Sequence, residues 1–230
     1  MSNSDLLKAY LAQIGLSLDD GKIAALLSYC DLVLEANKQF NLTAITDMNE
    51  FFIKHVTDSL LGASEIPSGA RLLDIGAGAG FPSMPIAIAR PDVCVTALDS
   101  TAKKMRFVEQ SAKSIGIDNL KTVAGRAEEQ SALFGKFDVV TARAVSSLPI
   151  LLELAMPMLK VGGRFLAYKT DESELPLASN ALKTLCAKHI RTKFASLPNG
   201  DGRAILVFEK IAKTPPQYPR QYGAIKRKPL

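Results

Sequence analysis

At 230 residues and 47% hydrophobic, the chain can bury one large core. No apolar run reaches the ~18 residues that span a bilayer, and Met-Ser-Asn-Ser-Asp at the start has neither the basic nor the apolar region of a signal peptide. The net charge is +5, and three scattered cysteines (Cys30, Cys94, Cys186) lack metal or disulfide spacing, so a metal-free cytoplasmic protein with reduced thiols is expected.

Leu6, Leu7, Tyr10, Leu11 and Ile14 recur at helical spacing behind Ser2, with Asp5 three residues on as a capping box. A second helix spans about 19–38, and a third starts near Asp47 and carries Phe51, Phe52, His55, Val56 and Leu60. Ile66-Pro67-Ser68-Gly69 ends this helical region. From Arg71 short apolar runs alternate with helical stretches, the rhythm of βαβ units. Strands are predicted at 71–75, 93–98, 119–124, 137–142 and 163–168, with helices near 82–90, 101–115, 126–133 and 147–159. Asp171-Glu172-Ser173-Glu174 then leads into a helix through about 188. Two last strands, about 190–196 and 203–209, meet at the hairpin turn Pro198-Asn199-Gly200-Asp201-Gly202. The expected fold is α/β and Rossmann-like: a seven-stranded, mostly parallel sheet with one antiparallel strand and an N-terminal helical extension. The expected divisions are a helical region at 1–66, a sheet domain at 67–210 and a basic tail at 211–230.

Charge follows this order. Residues 1–70 hold 4 basic and 9 acidic side chains, whereas 210–230 hold 6 basic and none acidic. A Pro- and Lys-rich tail on the surface suits a polyanion, although a merely solvated tail has the same composition.

The chemistry concentrates at Asp74-Ile75-Gly76-Ala77-Gly78-Ala79-Gly80-Phe81-Pro82, where a strand ends in a carboxylate and three alternating glycines precede a helix. Bare backbone there can lie against a ligand. The spacing is not the Gly-x-Gly-x-x-Gly of a dinucleotide fold, and Asp74 would repel a pyrophosphate. A sulfonium and an ammonium suit it, which favours S-adenosylmethionine. Asp99 ends the second strand, 19 residues after Gly80, where an acid can bind ribose hydroxyls; capping the helix that begins at Thr101 is its plainer role. After the third strand, Ala127 and Glu128 would meet the adenine edge. Arg143, after the fourth strand, could hold an acceptor phosphate, a guanine edge or the cofactor carboxylate, and Lys169 after the fifth is a similar candidate. Cytosine C5 chemistry needs a cysteine beside the fourth strand, and adenine amine methylation usually uses Asn/Asp-Pro-Pro-aromatic; neither is present. Guanine N7 is already nucleophilic and needs alignment rather than a base. His55 shares a helix face with Asp58, and a histidine capped by that acid is its plainest reading.

Asn37-Lys38-Gln39-Phe40-Asn41-Leu42-Thr43, Lys54-His55-x-x-Asp58-Ser59-Leu60, the glycine loop with Phe81-Pro82, Asp99-Ser100, Gly125-Arg126-Ala127-Glu128, Thr141 with Arg143-Ala144, and Tyr218-Pro219-Arg220 occur in order. Together they resemble the bacterial small-subunit rRNA guanine-N7 methyltransferases, also called the glucose-inhibited division protein B family. The resemblance covers the whole chain. It implies a class I methyltransferase fold and transfer from S-adenosylmethionine to guanine N7 in the decoding-region loop of 16S rRNA, with the small ribosomal subunit as partner. It places cofactor contacts on Gly76, Phe81, Ala127, Glu128 and Arg143. Gly78 and Asp99 join them from the residue reading, and Arg143 is the candidate catalytic residue. A monomer is expected. Two departures stand out: Ser83 and Thr170 occupy positions where that family usually or often has glycine.

Overall fold

The computed structural model describes residues 2–230. Helix α1 (Asn3–Gln13) starts at the Ser2/Asp5 capping box, and α2 (Asp20–Asn37) starts with the Asp19 side chain accepting from Lys22 N. The third helical stretch is composite. A turn α3 (Met48–Phe51) passes into a π-helical segment, Phe52–Thr57, and returns to α geometry in α4 (Asp58–Leu60). A 3.6-residue apolar pattern does not reveal such widening, which recurs at functional sites.

The sheet contains β1 (Arg71–Ile75), β2 (Cys94–Asp99), β3 (Leu120–Ala124), β4 (Phe137–Arg143), β5 (Leu159–Lys169), β6 (Ala187–Ser196) and β7 (Gly202–Lys210). Their order is β3-β2-β1-β4-β5-β7-β6, with β7 antiparallel to both neighbours. Helices α5 (Ser83–Ala89), α6 (Ala102–Ser114), α7 (Leu148–Ala155) and α8 (Ser179–Thr184) connect the strands, and α9 (Tyr222–Arg227) closes the chain. One hydrophobic cluster runs from Leu7 on α1 through Leu72 to Val207, so the N-terminal helices share a core with one sheet face. A second cluster covers the other face and includes Leu151, Phe165 and Ile225.

Four local expectations need correction. The helix expected at 126–133 is two 3-10 turns, Ala127–Glu129 and Ser131–Leu133, interrupted where Gln130 adopts φ −90°, ψ 54°. Strand β5 starts at Leu159, because Phe137 pairs with Leu159 before a register shift. The helix expected to reach 188 stops at Thr184, and Cys186 at φ 55° turns the chain into β6. The C-terminal tail is docked, and two of the six basic groups at 210–230 face inward. Arg220 donates to the fully buried Glu153 through N, Nε and Nη2 at 2.9, 2.8 and 2.6 Å. Lys210 Nζ donates to Met156 O and Leu159 O. The tail's apolar residues supply the rest of the seal, with Ile225 fully buried.

Candidate active site

The strand order reverses between β1 and β4, and in open α/β sheets ligands bind beside such a point, outside the carboxyl ends of the strands. A cavity of about 760 Å³ lies there. One wall is Gly76-Ala77-Gly78-Ala79, with Phe81 and Asp99; the other includes Lys54, His55, Asp58, Arg143 and Arg203.

The glycine wall is built from main chain. Gly76, Gly78 and Gly80 have φ of 72°, 58° and 79°, a region that L side chains rarely adopt. A Cβ on Gly76 would come within 2.5 Å of Val145 Cγ2. Leu98 O accepts from Gly76 N and Ala77 N at 2.8 and 3.0 Å, tying the loop to β2. Asp99 completes the tie: Oδ2 accepts from Gly78 N at 3.0 Å and Oδ1 from Thr101 N at 2.8 Å. Asp99 therefore shapes the loop and the turn leading to α6 while lining the cavity; it is not the helix cap, since Thr101 holds that position without a side-chain bond. Each carboxylate oxygen keeps a further lone pair for a ligand hydroxyl.

Asp74 does not face the cavity as its charge suggested. It is fully buried beneath the loop, where Oδ2 accepts from Ser83 N at 3.1 Å and Oδ1 from Thr141 Oγ1 at 2.9 Å. Burial outweighs these hydrogen bonds and pushes its carboxyl up to about 7. The residue pins the start of α5 to β4. Ser83 is equally buried, and its Oγ has no partner among the described residues. Ala127 and Glu128 follow β3 next to Asp99, whose O accepts from Gly125 N at 3.0 Å, but neither lines the cavity.

The opposite wall comes from segments distant in sequence. Arg143, at the end of β4, donates through Nη1 to Asp58 Oδ2 at 2.7 Å and Lys54 O at 2.8 Å. Its Nη2 donates to His55 Nδ1 at 3.2 Å. Asp58 is shared, since its Oδ1 accepts from Arg203 Nε on β7 at 3.0 Å. The aspartate thus pairs with two arginines at once and does not cap His55.

His55 stacks on Phe81 with ring centroids 4.9 Å apart, and the Arg143 guanidinium lies 5.8 Å from the same ring. Because an arginine only donates, His55 Nδ1 is the acceptor and Nε2–H donates to Thr43 Oγ1 at 2.7 Å. Burial, with Arg143 beside it, lowers the imidazole to about 3, so His55 is neutral at physiological pH. Every side-chain contact of its ring nitrogens is then satisfied by the protein.

A family model described as rRNA small subunit methyltransferase G matches residues 22–203. The chain belongs to this family. Members named ribosomal RNA small subunit methyltransferase G from Streptococcus pyogenes serotype M12 (strain MGAS2096) and Streptococcus thermophilus (strain CNRZ 1066) are 43% and 42% identical over 228 residues, 96% of this chain and 96% of each relative. Among solved structures, the [4+2]-cyclase SpnF gives a TM-score of 0.60 at 13% identity, covering 84% of this chain and 96% of that one. M. jannaschii TYW2 in complex with AdoMet gives 0.57 at 15% identity, covering 68% and 76%. At these identities the two structures speak for the fold alone. They agree with the sheet described above, so this member of the family is built on the class I methyltransferase architecture.

The residue reading singled out Gly76, Gly78, Phe81, Asp99 and Arg143, and the fold brings all five to one cavity. It missed the roles of Lys54, Asp58 and Arg203. The available signal was Lys54-His55-x-x-Asp58 itself. No local pattern tied that motif to an arginine on β7, 145 residues beyond Asp58.

Proposed function

We propose that the protein transfers a methyl group from S-adenosylmethionine to N7 of a guanine in the decoding-region loop of 16S rRNA. The carrying observation is the asymmetry of the cavity in a member of this family: bare glycine backbone and Asp99 on one side, cationic side chains on the other. A volume of about 760 Å³ is generous for one small molecule and leaves space for a base beside it.

When bound, S-adenosylmethionine supplies an electrophilic methyl group on a sulfonium. Gly76 and Gly78 would let the main chain approach it closely, and Asp99 would accept from its ribose hydroxyls. Ala127 and Glu128 lie outside the cavity lining and would meet the adenine only at its edge. Phe81, held by Tyr29, Phe51 and His55, walls off water from the reacting region. Guanine N7 carries no proton, so its lone pair would take the methyl group without a general base: the N7–C bond would form as the S–C bond broke, leaving a neutral thioether and a positive charge on the purine ring. His55, neutral and fully engaged, is suited to shape rather than proton transfer. Arg143 is the residue that orients the reaction. Three of its five N–H donors are held by Lys54 O, Asp58 and His55, and its Nε–H and second Nη2–H have no hydrogen-bond partner among the described residues. Those donors would serve the acceptor base or the cofactor carboxylate. Alignment of the two reactants accounts for most of the acceleration.

RNA contacts fall to exposed basic groups, including Lys226, Arg227 and Lys228 on the docked tail. Among the described residues no helix is long and apolar enough to cross a membrane. The proposal places a monomeric enzyme in the cytoplasm with the small ribosomal subunit as partner.

Mass spectrometry tests the substrate. Purified protein with S-adenosylmethionine should add one methyl group to a guanine in 16S rRNA of undermethylated small subunits. Transfer to free metabolites or proteins instead would redirect the substrate, and cofactor binding without turnover would indicate a ribosome-assembly binder.

A further inference from the structure

Between β4 and α7 the chain passes through Ala144, Val145, Ser146 and Ser147, and this short segment faces the glycine wall. Ala144 and Val145 line the cavity. Ala144 adopts φ 55°, a conformation rarely accepted by a residue with a side chain. Val145 aims its methyl groups at Gly76, the first glycine of the opposite wall. A segment in such a conformation stays in place only if its surroundings hold it.

Its upstream end is held by Arg143 through the bonds to Lys54 O, Asp58 and His55. Its downstream end is held from the acidic stretch after β5. Glu174 Oε2 accepts from Leu148 N, the first residue of α7, at 2.5 Å. Glu174 Oε1 accepts from Lys169 Nζ at 2.7 Å, and the same ammonium donates to Ser146 O at 3.0 Å. One carboxylate therefore fixes both a helix-start N–H and, through Lys169, a carbonyl two residues before it. The Lys169 side chain is 14% exposed and that of Glu174 33%. Two polar anchors converge on a four-residue segment whose Val145 faces Gly76 of the donor wall.

We propose that Glu174 is a positioning residue for methyl transfer, acting through Lys169 and the Leu148 N–H to fix the 144–147 segment as the wall that sets acceptor against donor. The inference rests on the methyl-transfer reading above. It assigns Glu174 no contact with either reactant. Glutamine at this position keeps the size but offers only one acceptor oxygen and adds an N–H pair, so it cannot serve Leu148 N and Lys169 Nζ together. Small misplacement of reacting groups costs rate steeply, up to about 100-fold for an ångström.

The test compares wild type, Glu174→Gln, Lys169→Met and the double variant. With undermethylated small subunits as acceptor, Glu174→Gln should lower kcat on the order of 10- to 100-fold. KM for the subunits and the affinity for S-adenosylhomocysteine measured by calorimetry should stay near wild type. The double variant should lose little more than the worse single variant, because both residues act on one segment. Hydrogen exchange should accelerate in the peptide containing Leu148 and remain unchanged in α2 and β1. A wild-type kcat in Glu174→Gln overturns the proposal, as does a loss carried wholly by KM or by cofactor affinity. Unchanged exchange at Leu148 overturns it too. If wild type itself transfers no methyl group to the subunits while binding S-adenosylhomocysteine, the underlying substrate reading fails instead.

Discussion

Residues 76–79 build the donor wall almost entirely from main chain, held by Leu98 O, Asp99 and the packing of Gly80 against Tyr29 behind it. The facing wall is made of charged side chains gathered from the π-helical segment, the end of β4 and the start of β7. The first depends on backbone conformations that only glycine adopts easily. The second depends on a single aspartate that satisfies two cations. Failure should therefore look different on the two sides: a strained loop on one, uncompensated charge on the other.

Asp58→Ala attacks the charged wall and should have the largest effect. The Asp58, Arg143 and Arg203 side chains are 8%, 13% and 18% exposed, so the arginines cannot recover full hydration when the acid is removed. Removing one partner of such a pair costs about 3 kcal/mol. For a chain of this size that lowers Tm by roughly 6–12 °C. Methyl transfer should fall as well, because Arg143 loses its anchor. A stability near wild type would mean that Asp58 is not the counter-ion the geometry makes it.

Gly80→Ala is the matching attack on the main-chain wall. At φ 79° an alanine is strained, and its methyl group would run into the Tyr29 hydroxyl, which donates to Ala79 O at 2.6 Å. The conformational penalty and the disturbed hydrogen bond together cost about 2 kcal/mol. Calorimetric unfolding should show a Tm drop of roughly 4–8 °C. Alanine at Gly116 is a control, since it shares a positive φ of 72° but has nothing within 4 Å of an added Cβ. Equal losses at the two positions would show that the close approach to Tyr29 is unimportant.

These two walls also differ in how far they can be read in the sequence. Glycine spacing, the acids at 74 and 99 and the βαβ rhythm are local patterns, and the mostly parallel sheet and the position of the glycine loop follow from them, whereas the order of the strands does not. Asp74 shows the limit of a local reading. Its place at a strand end is plain from sequence, but whether it points into the cavity or under the loop depends on Thr141 and Ser83. The charged wall is harder still, because Lys54, Asp58, Arg143 and Arg203 meet only after the sheet closes. The same is true of the tail: six basic groups read as a surface segment open to a polyanion or to solvent, yet Glu153, hidden inside an apolar helix, recruits Arg220.

Asp99→Asn probes the ligand side of the donor wall with less damage to the fold. The amide retains one acceptor for Gly78 N or Thr101 N, but charge-assisted bonds to ribose hydroxyls are lost. Titration calorimetry should show S-adenosylhomocysteine binding weakened about tenfold, or about 1.4 kcal/mol. Unchanged affinity would leave Asp99 with only its loop-shaping role.

The smallest effect separates the buried acid of one wall from the buried imidazole of the other. Asp74 is raised from 3.8 to about 7, so the folded state binds the proton more tightly, and stability falls as pH rises toward 7. His55 is lowered from 6.5 to about 3, so its contribution has the opposite sign: stability falls as pH drops below 6.5. Between about pH 4 and 6.5 the two oppose each other, and between 6.5 and 7 Asp74 acts alone. Asparagine at 74 can accept from Ser83 N and donate to Thr141 Oγ1, keeping both partners without the titration. From pH 6 to 8 wild type should show a net loss of less than about 1 kcal/mol, while Asp74→Asn, left with the His55 dependence alone, should gain just under about 1 kcal/mol. Below pH 6 the variant should lose stability more steeply than wild type, because the His55 dependence is no longer opposed. Parallel Tm-against-pH curves for the two proteins would mean that Asp74 remains ionised in the fold across the range.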